Sequence, residues 1–193
     1  MQEAATRDEC HVRAYILMTN HVHLLVTPQL DSGISFTMQR LSQRHVRTIN
    51  KSYRRTGTLW EGRYKAGLFD TESYLLTCMR YIELNPVRGR MVSHPAEHVW
   101  SSYRHNGQGA PDSAITAHTM YMQLGYDPPT RCRAYCELFS SDIEPELLNK
   151  IRHTTNQELL LGSDVFKQQV GRMLNRQVAE KPMGRPRKTI DAS

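Results

Sequence analysis

Near the start of the chain, two β-rich segments lie only two residues apart. They run from His11 to Met18 and from His21 to Thr27, and the polar pair Thr19 and Asn20 separates them. Short polar turns between two alternating, β-rich runs are typical of a β-hairpin. The sequence therefore predicts two antiparallel strands at the beginning of the fold.

A long helix is predicted after the hairpin. Between Ile34 and Tyr53, apolar residues recur every three or four positions, which is the period of an α-helix. The preceding residues, Pro28 to Gly33, are predicted to form a loop. Leu59 to Lys65 could form a further short strand.

A second helix is predicted to begin at Asp70 or Thr71, because either side chain can cap a helix N-terminus. It should end just before Pro86, which has no amide hydrogen with which to continue the helical hydrogen bonds. Beyond residue 110 the signals are weaker, and helices are predicted over 115–124, 130–140, 144–152 and 164–175. The first ten residues, MQEAATRDEC, resemble neither a strand nor a helix.

Composition excludes several classes of protein. Hydrophobic residues make up 39% of the chain and charged residues 23%, so wholesale disorder does not fit. Apolar runs such as Tyr15 to Met18 are far shorter than the roughly 20 residues that span a bilayer. Since the N-terminus has no apolar signal-peptide core, we expect a cytoplasmic protein without a membrane partner. The four cysteines are predicted to be free thiols: Cys10, Cys78, Cys132 and Cys136.

Positive charge is concentrated in one part of the chain. The net charge is +6, yet residues 36–65 alone carry eight basic residues and one acid. This concentration favours a polyanionic partner, most often nucleic acid. A basic stripe on the predicted long helix consists of Arg40, Arg44, Arg47, Lys51 and Arg54. Because that helix contains no acid, we expect the stripe to follow DNA phosphates; the alternative is an ordinary solvated face.

Two further segments are candidates for DNA contacts. Trp60, Arg63 and Lys65 lie together, and such a mixture suits the stacking of unpaired bases and the binding of their phosphates, although Trp60 could equally belong to the core. Near the C-terminus, Arg185 and Arg187 lie in the segment GRPRK. That segment resembles an AT-hook, which binds a narrow minor groove; the alternative is a generic basic tail.

Two pairs of residues are candidates for chemistry. His21 and His23 are two apart on a predicted strand, so both imidazoles lie on one face and can share a metal ion. In a chain with nine histidines, this spacing also arises by chance. Tyr81 and Asn85 are four apart on the second helix and project side by side. Asn85 could be a third ligand if that stripe faces the strand; otherwise both residues merely cap and pack the helix end.

Three segments together resemble the single-tyrosine transposases of the HUH endonuclease superfamily, and most nearly the REP-associated tyrosine transposases of bacteria. The segments are YILMTNHVHLLVTP, TGTLWEGRYKAGLFDTESYLLTCMRYIELNPVRG and VWSSYRHN. They extend from about residue 12 to 106 in the family's order and spacing. The resemblance implies an α+β fold with a ferredoxin-like antiparallel sheet, on which helices pack, followed by a helical C-terminal extension.

The resemblance also implies an activity. It implies a DNA transposase that cleaves and joins single-stranded or hairpin DNA through a covalent phosphotyrosine intermediate, with Mg or Mn as the metal. By motif position, His21 and His23 match the metal-binding pair, Tyr81 matches the nucleophile and Asn85 matches the polar third ligand. The ligand types alone leave the metal open, since imidazole also suits Zn or Ni.

Residues 1–110 are expected to form the catalytic domain, 111–176 a helical C-terminal region and 177–193 a disordered basic tail. Relatives usually begin with a further strand and helix, so the sheet is expected to be truncated at its N-terminal side. An intact partner subunit could supply that strand, and a homodimer is possible. The main alternative function is a catalytically inactive, truncated or domesticated, sequence-specific DNA-binding protein. A small-molecule metalloenzyme is a third possibility, but it leaves the basic helix unexplained.

Overall fold

The computed structural model describes residues 1–174, and within them helices outnumber strands. The elements in chain order are α1 (Gln2–Arg7), β1 (Cys10–Leu17), β2 (Val22–Pro28), α2 (Gly33–Tyr53), β3 (Leu68–Phe69), α3 (Thr71–Glu83), α4 (Asn85–Arg88), α5 (Tyr103–Gln108), α6 (Thr119–Met122), α7 (Pro128–Glu137), α8 (Pro145–Asn156), β4 (Leu160–Leu161) and α9 (Asp164–Leu174). Short 3-10 helices lie at Pro95–Glu97 and Leu138–Ser140. The predicted α+β fold with a helical C-terminal part is confirmed.

The predicted hairpin is formed by β1 and β2, which pair antiparallel. A β-bulge interrupts the pairing at Arg13: Val12 lies opposite Val26, whereas Ala14 lies opposite Leu25. Because adjacent residues of β2 project from opposite faces, Val12 and Ala14 do so as well. The bulge is the reason why apolar and polar residues alternate only loosely along the sequence of β1.

The bulge gives β1 buried side chains on both faces of the hairpin. Cys10 and Val12 pack with Ala5 of α1 and with part of α2. Ala14 and Ile16 pack on the other face, against α3. Two apolar clusters therefore lie on opposite sides of one short ribbon.

The edge of β1 that faces away from β2 is partly paired. The Leu17 amide donates to the Trp100 carbonyl oxygen at 2.9 Å, and the Ser102 amide donates to the Tyr15 carbonyl oxygen at 3.1 Å. A single bridge also joins Val12 to Ile115. Later segments of the chain thus form hydrogen bonds with some of the backbone groups at this edge of β1. Within the described residues the antiparallel sheet has two strands, β1 and β2.

Helix α1 corrects the expectation that the first ten residues form neither a strand nor a helix. It packs against α2, the long helix that the sequence predicts. At Gly33, the first residue of α2, an added Cβ would lie 2.8 Å from the carbonyl oxygen of Asp8, so this close approach requires glycine. Helix α2 ends at Arg54, whose φ of 49° is left-handed.

The short strand expected over Leu59 to Lys65 is wrong, because these residues form turns and irregular structure. The strand of this region is β3, which begins at Leu68 and pairs parallel with β4. Its partner is far along the chain, so a local pattern could not indicate this pairing. The predicted second helix, α3, is confirmed and begins directly after Asp70.

Helix α3 is buried on more than one side. Its residues Leu75, Met79 and Ile82 lie in the same hydrophobic cluster as Tyr135 of α7 and Ile151 of α8. The helical C-terminal region therefore shares one core with the residues that precede it. The later helices agree with the predicted ranges, although α6 is shorter than expected. None of the helices described over residues 1–174 combines the length and the apolar character needed to cross a membrane.

Candidate active site

The two predicted histidines come together at the beginning of β2. Their ring centroids lie 4.9 Å apart in an edge-on arrangement. His21 is exposed, and its Nδ1 lies 2.7 Å from Oδ1 of Asn20. His23 pairs across the hairpin with Ile16, so both side chains project from the face that packs against α3. The hairpin thus directs His23 toward the second helix.

The His23 imidazole is uncharged at neutral pH. Burial, with smaller contributions from the neighbouring His21 and Arg88, lowers the pKa of His23 to about 4. A neutral imidazole retains a nitrogen lone pair, and that is the form in which histidine binds a metal ion.

Tyr81 lies directly against this histidine. The centroids of the His23 and Tyr81 rings are 6.0 Å apart, with the rings inclined at 69°. Tyr81 is 8% exposed and sits on α3, where it belongs to the core cluster under the hairpin. The stripe that contains Tyr81 therefore faces the histidine strand, as the sequence analysis required for a shared site.

Asn85 is the first residue of α4, one step beyond the end of α3. Its main-chain carbonyl oxygen accepts a hydrogen bond from the Gly89 amide at 2.8 Å. The side-chain Nδ2 is buried and has no hydrogen-bond partner in the described part of the protein. The carboxamide can therefore rotate without losing a hydrogen bond, and it can present its oxygen to a ligand.

Arg88 is part of this group, and the sequence analysis did not select it. Its guanidinium carbon lies 4.5 Å from the centroid of the Tyr81 ring, and its Nη2 donates to the Tyr81 carbonyl oxygen. A spacing of seven residues, two helical turns from Tyr81, is the signal that could have indicated it. A cation thus stacks on the candidate nucleophile.

Glu83 is a second residue that sequence reasoning missed. Its side chain is fully buried, and its carboxylate accepts hydrogen bonds from Ser102 Oγ, Asn106 Nδ2 and Tyr135 Oη at 2.6, 2.8 and 2.7 Å. Burial raises the pKa of Glu83 to about 7, although these donors act in the opposite direction. The network ties α3 to α5 and α7, and so fixes the helix that carries Tyr81.

The structure shows that part of the basic stripe is paired. Arg40 forms a salt bridge at 2.9 Å with the buried carboxylate of Asp8, and Arg44 pairs with Glu3. The sequence of α2 excludes salt bridges within that helix, and the structure shows that the acidic partners come from α1 and the residue that follows it. Arg63 likewise lies 3.4 Å from Glu158.

The rest of the stripe is exposed. Arg47, Lys51 and Arg54 reach solvent and form no salt bridge within residues 1–174. Lys65 is exposed as well. Trp60 is half-buried: its ring lies 5.4 Å from that of His45, and its Nε1 donates to the Ser42 carbonyl oxygen at 3.4 Å. Arg185 and Arg187 lie outside the described residues.

Metal-binding candidates are few in the described residues. No group of three or more His, Cys, Asp or Glu side chains there could hold a metal ion. The four cysteines are free, as predicted. Cys136 donates to the Gly107 carbonyl oxygen at 3.1 Å, and Cys132 lies 3.8 Å from Tyr121 Oη.

Comparison with protein families finds that residues 1–85 match the model of a family described as Transposase IS200 like. This part of the chain is therefore similar to transposases of that family. The matched range includes His21, His23, Tyr81 and Asn85, and ends before Arg88. Comparison with curated proteins and with solved structures finds no match.

Proposed function

We propose that this protein cleaves and rejoins single-stranded DNA, with Tyr81 as the nucleophile. The observation that carries the proposal is the 6.0 Å separation between the Tyr81 and His23 rings, inside a region that matches the model of a transposase family. A phenol that lies beside a candidate metal ligand can reach a phosphodiester that the metal also contacts.

His21, His23 and Asn85 would hold a divalent ion, which we propose to be Mg or Mn. The residues fit such an ion in two respects: the His23 imidazole is neutral at neutral pH, and the buried Nδ2 atom of Asn85 has no hydrogen-bond partner among the described residues, so the carboxamide is free to turn its oxygen to a ligand. A divalent ion bound there would withdraw charge from the phosphoryl oxygens. His21 remains exposed, so this side of the site is open to substrate.

In the proposed reaction, Tyr81 Oη attacks phosphorus and loses its proton, and the bond from phosphorus to the 3′ oxygen of the DNA breaks. The departing strand takes up a proton and leaves with a free 3′-OH, while the other strand end stays bonded to Tyr81. Because the phosphodiester is exchanged rather than hydrolysed, a second 3′-OH can attack the phosphotyrosine and join new ends. Burial of Tyr81 restricts competing water near the reacting oxygen.

The DNA would lie along the exposed cations of α2 and the segment that follows. Arg47, Lys51, Arg54 and Lys65 are proposed to bind phosphates, and Trp60 is half-exposed and could stack a base. Arg40, Arg44 and Arg63 are expected to contribute less, since acids already pair with them. We propose that the substrate is single-stranded or hairpin DNA and that two copies of the protein can act together.

The proposal is tested by covalent trapping. Incubation of the protein with single-stranded hairpin DNA and Mn²⁺ should give a DNA adduct that survives denaturing electrophoresis. The Tyr81→Phe variant should give none, because it lacks the attacking oxygen. Tyr74→Phe, on the same helix, is the matched control and should retain the adduct. An adduct that persists in Tyr81→Phe would refute the assignment of the nucleophile, and a protein that binds DNA with no adduct under any metal would support the inactive alternative.

A further inference from the structure

We infer that Arg88 binds the DNA phosphate that Tyr81 attacks; this inference rests on the proposed function. Arg88 is the last residue of α4, and its guanidinium carbon lies 4.5 Å from the centroid of the Tyr81 ring. The same group donates from Nη2 to the main-chain carbonyl oxygen of Tyr81. Two contacts to one residue place a positive charge beside the proposed nucleophile.

The Arg88 cation has no counter-ion among residues 1–174. Among the residues that the structure describes, it forms no salt bridge, and its Nε and Nη1 atoms are buried without a hydrogen-bond partner. The acid nearest in sequence, Glu83, is occupied by three donors from other helices. Unpaired buried N–H groups of a cation cost free energy, and an anion that binds them recovers it. The site is therefore suited to receive a negative charge.

A phosphate is the anion that this position favours. Guanidinium groups match phosphate oxygens in geometry and charge, and a phosphate that becomes bonded to Tyr81 Oη must approach the ring on which Arg88 lies. Burial lowers the pKa of Arg88, its interaction with Tyr81 acts in the opposite direction, and the charge of Arg152 on α8 lowers the pKa further.

Arg88 would have two successive roles. In the free protein it stacks on the Tyr81 ring and holds that ring in place. When DNA binds, its N–H groups turn from the ring to the phosphate oxygens and offset the charge that develops on them during the attack. The turn gives up the stacking contact and the hydrogen bond to the Tyr81 carbonyl oxygen, and charge-assisted hydrogen bonds to the phosphate replace them.

The first test compares rates of adduct formation under saturating DNA. Arg88→Gln should lower the rate on the order of a hundredfold, as loss of one transition-state donor does, and Arg88→Lys should recover part of it. Arg90→Gln is the matched control: Arg90 is two residues away and exposed, and this change should alter the rate less than about twofold. Circular dichroism should show that all three variants are folded. A folded Arg88→Gln protein that reacts at the wild-type rate would overturn the inference.

A second measurement separates phosphate binding from a purely structural role. A methylphosphonate at the mapped cleavage position lacks one anionic oxygen. On this substrate the penalty of Arg88→Gln should shrink to a few fold, because the charge that Arg88 contacts is reduced. An unchanged penalty would show that Arg88 only holds Tyr81, and would overturn the inference.

A third measurement needs no catalysis. In the Tyr81→Phe protein, without metal, a short single-stranded DNA should shift the ¹H–¹⁵N signal of Arg88 Nε, identified by its absence in an Arg88→Lys version. If the wild-type protein gives no adduct yet this signal shifts, the proposed function fails while Arg88 still binds DNA phosphate. If adducts form and the signal does not move, the inference about Arg88 fails alone.

Discussion

The imidazole of His23 and the phenol of Tyr81 meet edge to face, 6.0 Å apart, across the contact between β2 and α3. If His23 is a metal ligand, His23→Gln should weaken Mn²⁺ binding. Loss of an outer-shell partner alone typically costs roughly 10- to 100-fold in metal affinity, and loss of a ligand should cost at least as much. Calorimetric titration with Mn²⁺ measures this. His11→Gln, on the neighbouring strand β1, should bind Mn²⁺ like the wild type, and equal losses in both variants would contradict the assignment.

Stability should depend on pH through Glu83. Burial raises its pKa from an ordinary 4.5 to about 7 in the folded protein. Between these values the folded state binds more protons at Glu83 than the unfolded state does, so the contribution of Glu83 to the free energy of unfolding should fall as pH rises from about 4.5 to 7. This contribution is about 3 kcal/mol, and it is fully present below pH 4.5. The lowered pKa of His23 acts in the opposite direction between about 4 and 6.5, so the pH dependence due to Glu83 is the difference between the wild type and a variant without this carboxyl group.

The Glu83→Gln variant should remove most of this dependence, because glutamine does not titrate and can still accept from Ser102 and Asn106. Urea unfolding in EDTA at pH 5 and pH 7 measures the difference while excluding metal. Glu146→Gln, at an exposed position of α8, should keep the wild-type profile. A Glu83→Gln protein with an unaltered profile would show that another group titrates.

The basic stripe should divide into two functional parts. Arg40→Gln breaks the salt bridge to the buried Asp8 carboxylate, so it should lower the free energy of unfolding by about 1–2 kcal/mol, with the exposure of Arg40 limiting the loss. Arg47→Gln breaks no described salt bridge and should weaken DNA binding instead. The slope of the logarithm of the DNA-binding constant against the logarithm of the salt concentration should become less steep by about 0.7, because one phosphate contact to a single strand is lost. Thermal melting and fluorescence anisotropy at several salt concentrations measure the two effects, and the reverse pattern would contradict this division.

The core shared between α3 and the C-terminal helices should make unfolding cooperative. Ile151 is 1% exposed within that core, so Ile151→Ala should cost about 2–5 kcal/mol. Trp60 and Trp100 both precede residue 110, and their fluorescence should follow the same shifted transition as circular dichroism. Val165→Ala, at an exposed position, is the control. If the unfolding transition measured by fluorescence is unchanged in Ile151→Ala, residues 1–110 unfold independently.

Local periodicity was sufficient for the hairpin and for both long helices. The pleat placed His21 and His23 on one face, and the helical period placed Tyr81 and Asn85 on one stripe. Neither pattern alone could predict that the histidine face of the strand lies against the Tyr81 stripe of the helix. The resemblance to a known family implied this contact, and the structure shows it between the rings of His23 and Tyr81.

Other features depend on contacts between distant segments. The sequence around Glu83 does not indicate that it is buried, because its three hydrogen-bond donors lie far along the chain. Ser102 immediately precedes α5, Asn106 lies in α5, and Tyr135 lies in α7. The salt bridge between Arg40 and Asp8 depends on helix α1, because α1 places Asp8 directly after it. The first ten residues show no strong helical period from which this helix could be predicted. Arg88 was passed over because an arginine near a helix end is ordinary, and only its position on the Tyr81 ring distinguishes it.

The bulge at Arg13 has a consequence for how this protein can diverge. Cys10 and Val12, before the bulge, pack with α1 and part of α2, and Ala14 and Ile16, after it, pack against α3. Substitutions at the first pair can therefore alter the support of the helix proposed to bind DNA without touching the helix that carries Tyr81. Removal of the single extra residue would place Val12 and Ala14 on the same face of the ribbon, and this separation would be lost.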